Sequence, residues 1–158
     1  MESANAHASP PLVVLDTNVV LDWLVFRDAS TAPLVDAIKG GRLRWLICPR
    51  MRDELVRTLS YPALARWHPD SERVLTSFDR WSVARPTPVP SATNPACSDA
   101  NDQVFIDLAL AEGAQWLLTH DRALLKLARR LSARGLRVAP PARWAAQVLK
   151  RAAEAALG

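Results

Sequence analysis

The chain has 158 residues, 49% of them hydrophobic, which is enough to bury the core of one domain and too little for two. No segment approaches the roughly 18 consecutive apolar residues of a membrane span, and residues 1–10 lack the basic and apolar regions of a secretory signal. We therefore expect a single cytoplasmic domain without a membrane partner.

The charge is unevenly distributed along the chain. There are 20 basic and 16 acidic residues, which gives a net charge of +4. Nine of the basic residues and only one acid, Glu154, fall within residues 122–158, so the first 121 residues hold 11 basic and 15 acidic residues. A basic C-terminal quarter suits a polyanionic partner such as nucleic acid, but a solvated arginine-rich helical surface has the same composition.

The first predicted element is a short buried strand. Residues 12–15 are all apolar and lie between Pro10-Pro11 and the polar triplet Asp16-Thr17-Asn18, which is typical of a strand buried on both faces in a parallel sheet. Helical spacing predicts one helix directly after this triplet and a second over residues 30–39. Residues 43–48 favour a second parallel strand.

Helices fill the middle of the chain. A helix is predicted from Pro49, with Glu54 about one turn inside it. Residues 63–81 indicate two further helical pieces, the second capped by Ser71, before a brief strand at residues 81–83.

The last part of the chain predicts the same alternation. Residues 85–97 contain four prolines and no periodicity, which indicates an extended connection and not a domain boundary, because too few residues follow for a second core. The elements expected after it are a helix opening at residues 98–102, a third buried strand over 115–119, a helix over 121–134, a strand over 136–138 and a last helix after Pro140-Pro141.

This alternation predicts a three-layer α/β/α fold with a central parallel sheet of four to five strands. We expect a flexible N-terminus over residues 1–10 and one domain over residues 11–145. Residues 146–158 are predicted to form a C-terminal helical extension of the same domain.

Acidic side chains recur after the predicted strands or within the helices near them. They are Asp16 after the first strand, Glu54 in the helix after the second strand, Asp102 at the start of a long helix and Asp121 after the third strand. If these strands are parallel neighbours, their carboxyl ends bring the four acids to one edge of the sheet. Clustered carboxylates repel and are held ionised by a divalent cation, and oxygen ligands alone favour Mg²⁺ or Mn²⁺.

Each of these acids also has a purely structural explanation. Asp16 could begin an Asx turn, and Asp121 is a good helix N-cap. Glu54 could be a surface helix residue paired with an arginine, while Asp99 or Asp102 could belong to a capping box.

The residues around the acids resemble the PIN domain, the PilT N-terminus family. The segments that carry the resemblance are Val14-Leu15-Asp16-Thr17-Asn18-Val19, the Pro-x-x-x-x-Glu segment from Pro49 to Glu54, Cys97-Ser98-Asp99-Ala100-Asn101-Asp102-Gln103-Val104-Phe105, and Leu117-Leu118-Thr119-His120-Asp121. They appear in the family's order and cover the chain from about Leu12 to Arg143. The chain is most similar to the bacterial PIN proteins that are toxins of toxin–antitoxin pairs, although His120 replaces the small residue expected there.

The resemblance implies a metal-dependent endoribonuclease, in which one or two ions lower the pKa of a bound water and neutralise charge on the phosphate. The implied metal-binding and catalytic acids are Asp16, Glu54, Asp102 and Asp121, with Mg²⁺ or Mn²⁺ as the cofactor. The implied supporting positions are Asn18, Asp99 and Thr119. Candidates for phosphate contacts, or otherwise solvent-facing helix charges, are Arg50, Arg52 and Arg122.

Two other functions stay open. One is a PIN-like module that binds RNA or a protein without cleaving it. The other is a phosphatase with Asp16 as a covalent nucleophile, but that family requires an acid two residues later, where this chain has Asn18. The implied partners are RNA, a small antitoxin protein and a second copy of the chain. Among the tryptophans, only Trp67 is a candidate platform for base stacking.

Overall fold

A single parallel sheet forms the centre of the protein. The computed structural model describes residues 9–157, so most of the predicted flexible N-terminus lies outside the described residues. The sheet has five strands in the order β3-β2-β1-β4-β5, and every neighbouring pair is parallel. The strands are β1 (Leu12–Leu15), β2 (Arg44–Ile47), β3 (Ser82–Ala84), β4 (Trp116–Leu118) and β5 (Arg137–Ala139).

Helices cover the sheet and confirm the predicted three-layer α/β/α architecture. In the described part of the chain they are α1 (Thr17–Leu24), α2 (Ala32–Lys39), α3 (Pro49–Leu59), α4 (Ser71–Trp81), α5 (Gln103–Ala111), α6 (Arg122–Leu125), α7 (Ala128–Ser132) and α8 (Pro141–Leu157). Short 3₁₀ segments lie at Ala29–Thr31, Pro62–Trp67 and Ala100–Asp102. None of the helices within residues 9–157 is long and apolar enough to cross a lipid bilayer.

The strand β1 lies at the centre of the sheet, between β2 and β4. Val13 and Val14 are completely buried, as expected for a strand that is covered by helices on both faces. Backbone pairing aligns Leu15 with Leu118, so β1 and β4 end side by side. The residues that follow these two strands are therefore neighbours at the carboxyl edge of the sheet.

An aromatic cluster joins the sheet to two of its helices. The ring of Trp45 in β2 lies 5.3 Å from that of Trp23 in α1 and 4.9 Å from that of Phe78 in α4, measured between centroids. Trp45 is completely buried, and Trp116 is 8% exposed. Large buried rings contribute about 150–250 Å² of buried area each, so these residues hold the core together.

Three details differ from the sequence-based prediction. Asp70, not Ser71, is the N-cap of α4, and its carboxylate accepts the Arg73 N–H at 3.2 Å. The helix expected to open at residues 98–102 begins instead as a 3₁₀ turn. The helix expected over residues 121–134 is interrupted near Leu127 and forms α6 and α7.

The break between α6 and α7 has a physical reason in the core. Leu124, Leu127 and Leu131 are all buried, which is also the spacing of one continuous helix. The backbone of Leu127 has φ −89° and ψ 0°, so the chain turns there while its side chain stays in the core. Apolar spacing alone does not distinguish the two arrangements.

Candidate functional site

Asp16 is the most buried carboxylate at the carboxyl edge of the sheet. It follows β1 directly, caps α1 and is only 3% exposed. Its Oδ1 accepts the Val19 N–H at 3.0 Å, and the hydroxyl of Thr119 donates a hydrogen bond to its Oδ2. Burial raises the pKa of Asp16 in spite of these two bonds. Asp16 is therefore a helix cap, and it also lies at the edge of the sheet where the acids were predicted to meet.

Thr119 connects the ends of β1 and β4. Its side chain is completely buried, donates to Asp16 and accepts the Asp121 N–H at 2.9 Å. Asp121 in turn caps α6, because its Oδ1 accepts the Ala123 N–H at 2.7 Å. The backbone N–H of Asp16 also donates to the Leu118 carbonyl at 3.1 Å. These bonds hold Asp16 and Asp121 at fixed positions just after the ends of two adjacent strands.

Asp102 stands in the 3₁₀ turn before α5 and belongs to the same cluster. Its Oδ2 is buried and has no hydrogen-bond partner. The pKa of Asp102 is raised from 3.8 to about 7, chiefly by burial and then by the carboxyl group of Asp121, with smaller effects from Asp99 and Asp16. Two ionised carboxylates are both acceptors and repel each other, so the neighbouring Asp121 favours the protonated form of Asp102.

Glu54 approaches the cluster from α3, about one turn inside the helix. It is half-buried, and desolvation raises its pKa. Arg57 and a hydrogen bond from the Thr17 side chain act in the opposite direction, while the charges of Asp16 and Asp99 raise the pKa again. The four acids selected from the sequence are therefore brought together, with Asp99 beside them.

The donor set of this cluster fits a hard divalent cation. It consists of carboxylates and one threonine hydroxyl, and oxygen donors of this kind suit Mg²⁺ or Mn²⁺ better than zinc. The buried Oδ2 of Asp102, which has no partner, is an oxygen that such an ion would satisfy. Within residues 9–157, no three His, Cys, Asp or Glu side chains are placed so that they could hold a metal ion without moving.

A family model described as the PIN domain matches residues 12–123, which include all four acids. The chain belongs to the PIN domain family. The match begins at the first residue of β1 and ends just after Asp121, so it covers the elements that build the acidic cluster.

The fold of this PIN domain is also found among solved structures. A chain in the crystal structure of VapBC2 from Rickettsia felis bound to a DNA fragment from their promoter superposes with a TM-score of 0.55 and 17% sequence identity. The superposition covers 80% of this chain and 96% of the other. No curated protein matches the sequence.

The arginines predicted near the PIN acids have different surroundings. Arg50 lines the same cavity as Glu54. Arg52 forms a two-pronged ion pair with Asp79 in α4, with nitrogen–oxygen distances of 2.9 and 2.8 Å. Arg122 is exposed beside Asp121. The guanidinium of Arg52 is thus already paired within the protein, and its contact with a phosphate stays a prediction.

Two residues beside the cluster were not selected from the sequence. Thr17, in the triplet that follows β1, hydrogen bonds to Glu54, whereas its exposed neighbour Asn18 faces solvent. His120 lies with its Nε2 3.5 Å from Asp22 Oδ2. The Asp-Thr-Asn triplet could have pointed to Thr17 as a residue near the acids. Nothing in the sequence indicates that His120 lies beside Asp22 of α1.

A buried polar network positions the turn that carries Asp102. Asp107 in α5 is 5% exposed and accepts from Asn94 Nδ2 at 2.9 Å and from Gln103 Nε2 at 3.1 Å. Gln103 also donates to the Pro95 carbonyl at 3.0 Å and accepts the Cys97 N–H at 2.7 Å. The network attaches the proline-rich connection to α5. A polar i, i+4 pair on an otherwise apolar helix is the sequence signal for it.

Replacing Asp107 with asparagine is expected to reduce the free energy of unfolding by about 1.5–3 kcal/mol, because two half-buried donors lose a charged acceptor. Urea denaturation of the two proteins measures this difference. Asp36→Asn, on the exposed face of α2, is the control and should change it by less than about 0.5 kcal/mol. Equal stability of Asp107→Asn and the wild type would show that the network does not hold the connection.

Proposed function

We propose that this PIN domain is a metal-dependent endoribonuclease that hydrolyses RNA phosphodiester bonds. The observation that carries the proposal is the convergence of Asp16, Glu54, Asp102 and Asp121 at one edge of the sheet. Burial or half-burial of Asp16, Glu54 and Asp102 raises their pKa values and destabilises their charged forms, and such groups concentrate at functional sites.

The residues of the chain have distinct tasks in this proposal. Asp16 is oriented by Thr119 and by the first turn of α1, so its carboxylate needs no rearrangement before it acts as a ligand. Asp102 would hold the ion in its deprotonated form. These residues would hold Mg²⁺ or Mn²⁺, which would supply a lowered pKa for a water molecule and neutralise charge on the phosphate. Glu54 completes the ligand set or orients the attacking water.

Water is a better candidate for the nucleophile than any side chain near the cluster. Cys97 is the nearest thiol in the described residues, and burial raises its pKa, as do the charges of Asp102, Asp121 and Asp99. A thiol that stays protonated is a poor nucleophile. A covalent intermediate on Cys97 is therefore not part of the proposal.

Glu54 and its neighbour Asp53 provide a matched test of the proposal. Glu54→Gln is expected to slow the cleavage of a generic single-stranded RNA in Mg²⁺ or Mn²⁺ by about 10- to 100-fold, since a group that places a ligand or a water is lost. Asp53→Asn, on the exposed side of the same helix, should leave the rate unchanged. Rates are measured with labelled RNA at saturating metal.

Absence of cleavage by the wild-type protein in either metal would contradict the enzyme proposal. Retained RNA binding in that experiment would instead support the second candidate, a PIN module that binds without cleaving. Retention of all four acids at one edge favours the enzyme, because a binding module does not need them together.

We also propose that the protein is a toxin that pairs with a small antitoxin and with a second copy of itself. The structural neighbour VapBC2, a two-component complex, supports this proposal. The proposal predicts a small open reading frame next to the gene, and co-expression with it should yield a stable complex. Light scattering that shows only monomers of the isolated chain would contradict the homodimer.

A further inference from the structure

A polar cavity leads from Glu54 along one face of α3. It has a volume of about 300 Å³ and is lined by Arg50, Glu54, Arg57, Tyr61 and Asn101. The first four residues recur at intervals of four, three and four, which places them on one face of the helix and just beyond its end. Asn101 forms the opposite wall from the 3₁₀ turn that carries Asp102. The cavity therefore adjoins the acidic cluster at Glu54 and lies on the α3 side of that cluster.

Tyr61 is held in place at the far end of this cavity, and its ring is open to a ligand. Its backbone N–H donates to the Thr58 carbonyl at 3.0 Å, and its own carbonyl accepts the Leu64 N–H at 2.9 Å. Pro62 follows and restricts the backbone further. The residue is nonetheless 52% exposed. Because the backbone of Tyr61 is fixed and its ring is exposed, a ligand can stack on the ring while the protein loses little conformational entropy.

The walls between Tyr61 and Glu54 carry positive charge. Arg50 and Arg57 are exposed and line the cavity on either side of Glu54. From Glu54, α3 continues for five residues, a rise of about 7.5 Å at 1.5 Å per residue, and Tyr61 follows just beyond its end. This spacing leaves room for one nucleotide between the ring and the acidic cluster. Guanidinium groups bind phosphate oxygens, and Asn101 offers an amide donor and acceptor for the edge of a base.

We propose that this cavity is a nucleotide subsite for single-stranded RNA, in which one base stacks on Tyr61, its phosphate contacts Arg57 and Arg50, and the next phosphate reaches the acidic cluster. The inference rests on the proposed ribonuclease function and names the residue that fixes the position of the strand. An apolar peptide segment is a poor occupant, because three of the five lining residues are charged and none is aliphatic. A base has a π-face for Tyr61 and polar edges for Asn101.

Fluorescence anisotropy with short labelled single-stranded RNA tests the subsite. The full chain carries Asp16→Asn so that the RNA stays intact. Adding Tyr61→Ala is expected to weaken binding about 5- to 150-fold, since stacking of one base is lost. Tyr61→Phe keeps the ring and should restore the affinity. Because Tyr61 is exposed, its replacement should not unfold the protein, and thermal unfolding checks this point.

An abasic scan locates the stacked base. Removing one base of the RNA at a time should weaken binding strongly at a single position, and this effect should disappear in the Tyr61→Ala protein. Arg57→Gln should reduce the slope of log Kd against log salt by about 0.7, as expected for one lost phosphate contact with a single strand. Arg44→Gln, at the start of β2 and the opposite edge of the sheet, is the control for charge alone.

The outcomes separate this inference from the function on which it rests. Equal affinity of the Tyr61→Ala and Tyr61→Phe proteins, or an abasic profile that does not depend on Tyr61, would overturn the subsite while wild-type cleavage in Mn²⁺ continues. Undetectable RNA binding would also overturn it. Absence of wild-type cleavage in any divalent metal would overturn the enzyme proposal, and the binding data would still decide the role of Tyr61.

Discussion

Replacing Asp16 with asparagine is expected to reduce RNA cleavage in Mn²⁺ at least about 100-fold. Loss of a group that merely orients a metal ligand costs about 10- to 100-fold, and Asp16 is a direct ligand in the proposed site. The change removes one charge and leaves the shape of the side chain. Initial rates with labelled RNA, measured over a range of Mn²⁺ concentrations, give the size of the effect.

The Asp16→Asn protein is expected to stay folded. The amide oxygen of asparagine still accepts the Val19 N–H, and the substitution removes a charge that burial disfavours, which offsets the lost acceptor of the Thr119 hydroxyl. Its melting temperature in EDTA should therefore stay close to that of the wild type. Asp36→Asn on the surface of α2 controls for charge, and its cleavage rate should be unchanged. Cleavage by Asp16→Asn at the wild-type rate would contradict a catalytic role for Asp16.

In EDTA, the free energy of unfolding is expected to fall as the pH rises from about 4 to above 7. The pKa of Asp102 is raised to about 7 in the folded protein from an ordinary value of 3.8. The folded state therefore holds a proton that the unfolded state has lost, and the stability linked to it is complete below pH 4 and disappears as the pH passes 7. Urea unfolding across this range measures the decline.

The Asp102→Asn protein separates the pH dependence of stability due to Asp102 from that due to the other titrating groups. The difference between the wild type and this variant should be small near pH 4 and should favour the variant near pH 8. Addition of Mn²⁺ at pH 8 should raise the melting temperature of the wild type and not that of Asp102→Asn. A wild-type stability that keeps rising between pH 5 and 8 in EDTA, with no difference from the variant, would contradict the raised pKa of Asp102.

The sheet and the position of Asp16 could be predicted from the sequence because the apolar pattern of the strands is local. Residues 12–15 form an apolar run that ends at Asp16, and a strand buried on both faces is the arrangement that suits such a pattern. The same argument holds for β2 and β4. Parallel strands share a carboxyl edge, so the approximate meeting of Asp16, Glu54 and Asp121 followed from the order of elements.

Other features depend on tertiary contacts that local patterns do not encode. The raised pKa of Asp102 arises because the proline-rich connection returns the 3₁₀ turn to the end of β4, beside Asp121. Asp107 holds that connection through side chains far from the site. The interruption near Leu127 keeps the spacing of a continuous helix and leaves no trace in the apolar pattern.

The cavity along α3 is a feature of the same kind. Arg50, Arg57 and Tyr61 look like ordinary surface residues of an amphipathic helix until Asn101 is placed opposite them. Their proposed role in binding RNA depends on their position beside the acidic cluster. That cluster and the cavity form only when the chain is folded. Sequence reasoning selected Arg50 because it lies next to site positions in the sequence, and missed Arg57 and Tyr61.

The central claim is that Asp16, Glu54, Asp102 and Asp121 together hold a divalent cation. The most direct measurement is a crystal structure of the wild-type protein soaked in Mn²⁺ at pH 8, with anomalous diffraction data to locate the ion. We predict an anomalous peak among these four carboxylates, with oxygen ligands from Asp16 and Asp102, and no peak in crystals of Asp16→Asn. Crystals that show no anomalous peak at this edge of the sheet, or a peak bound only by other residues, would contradict the claim.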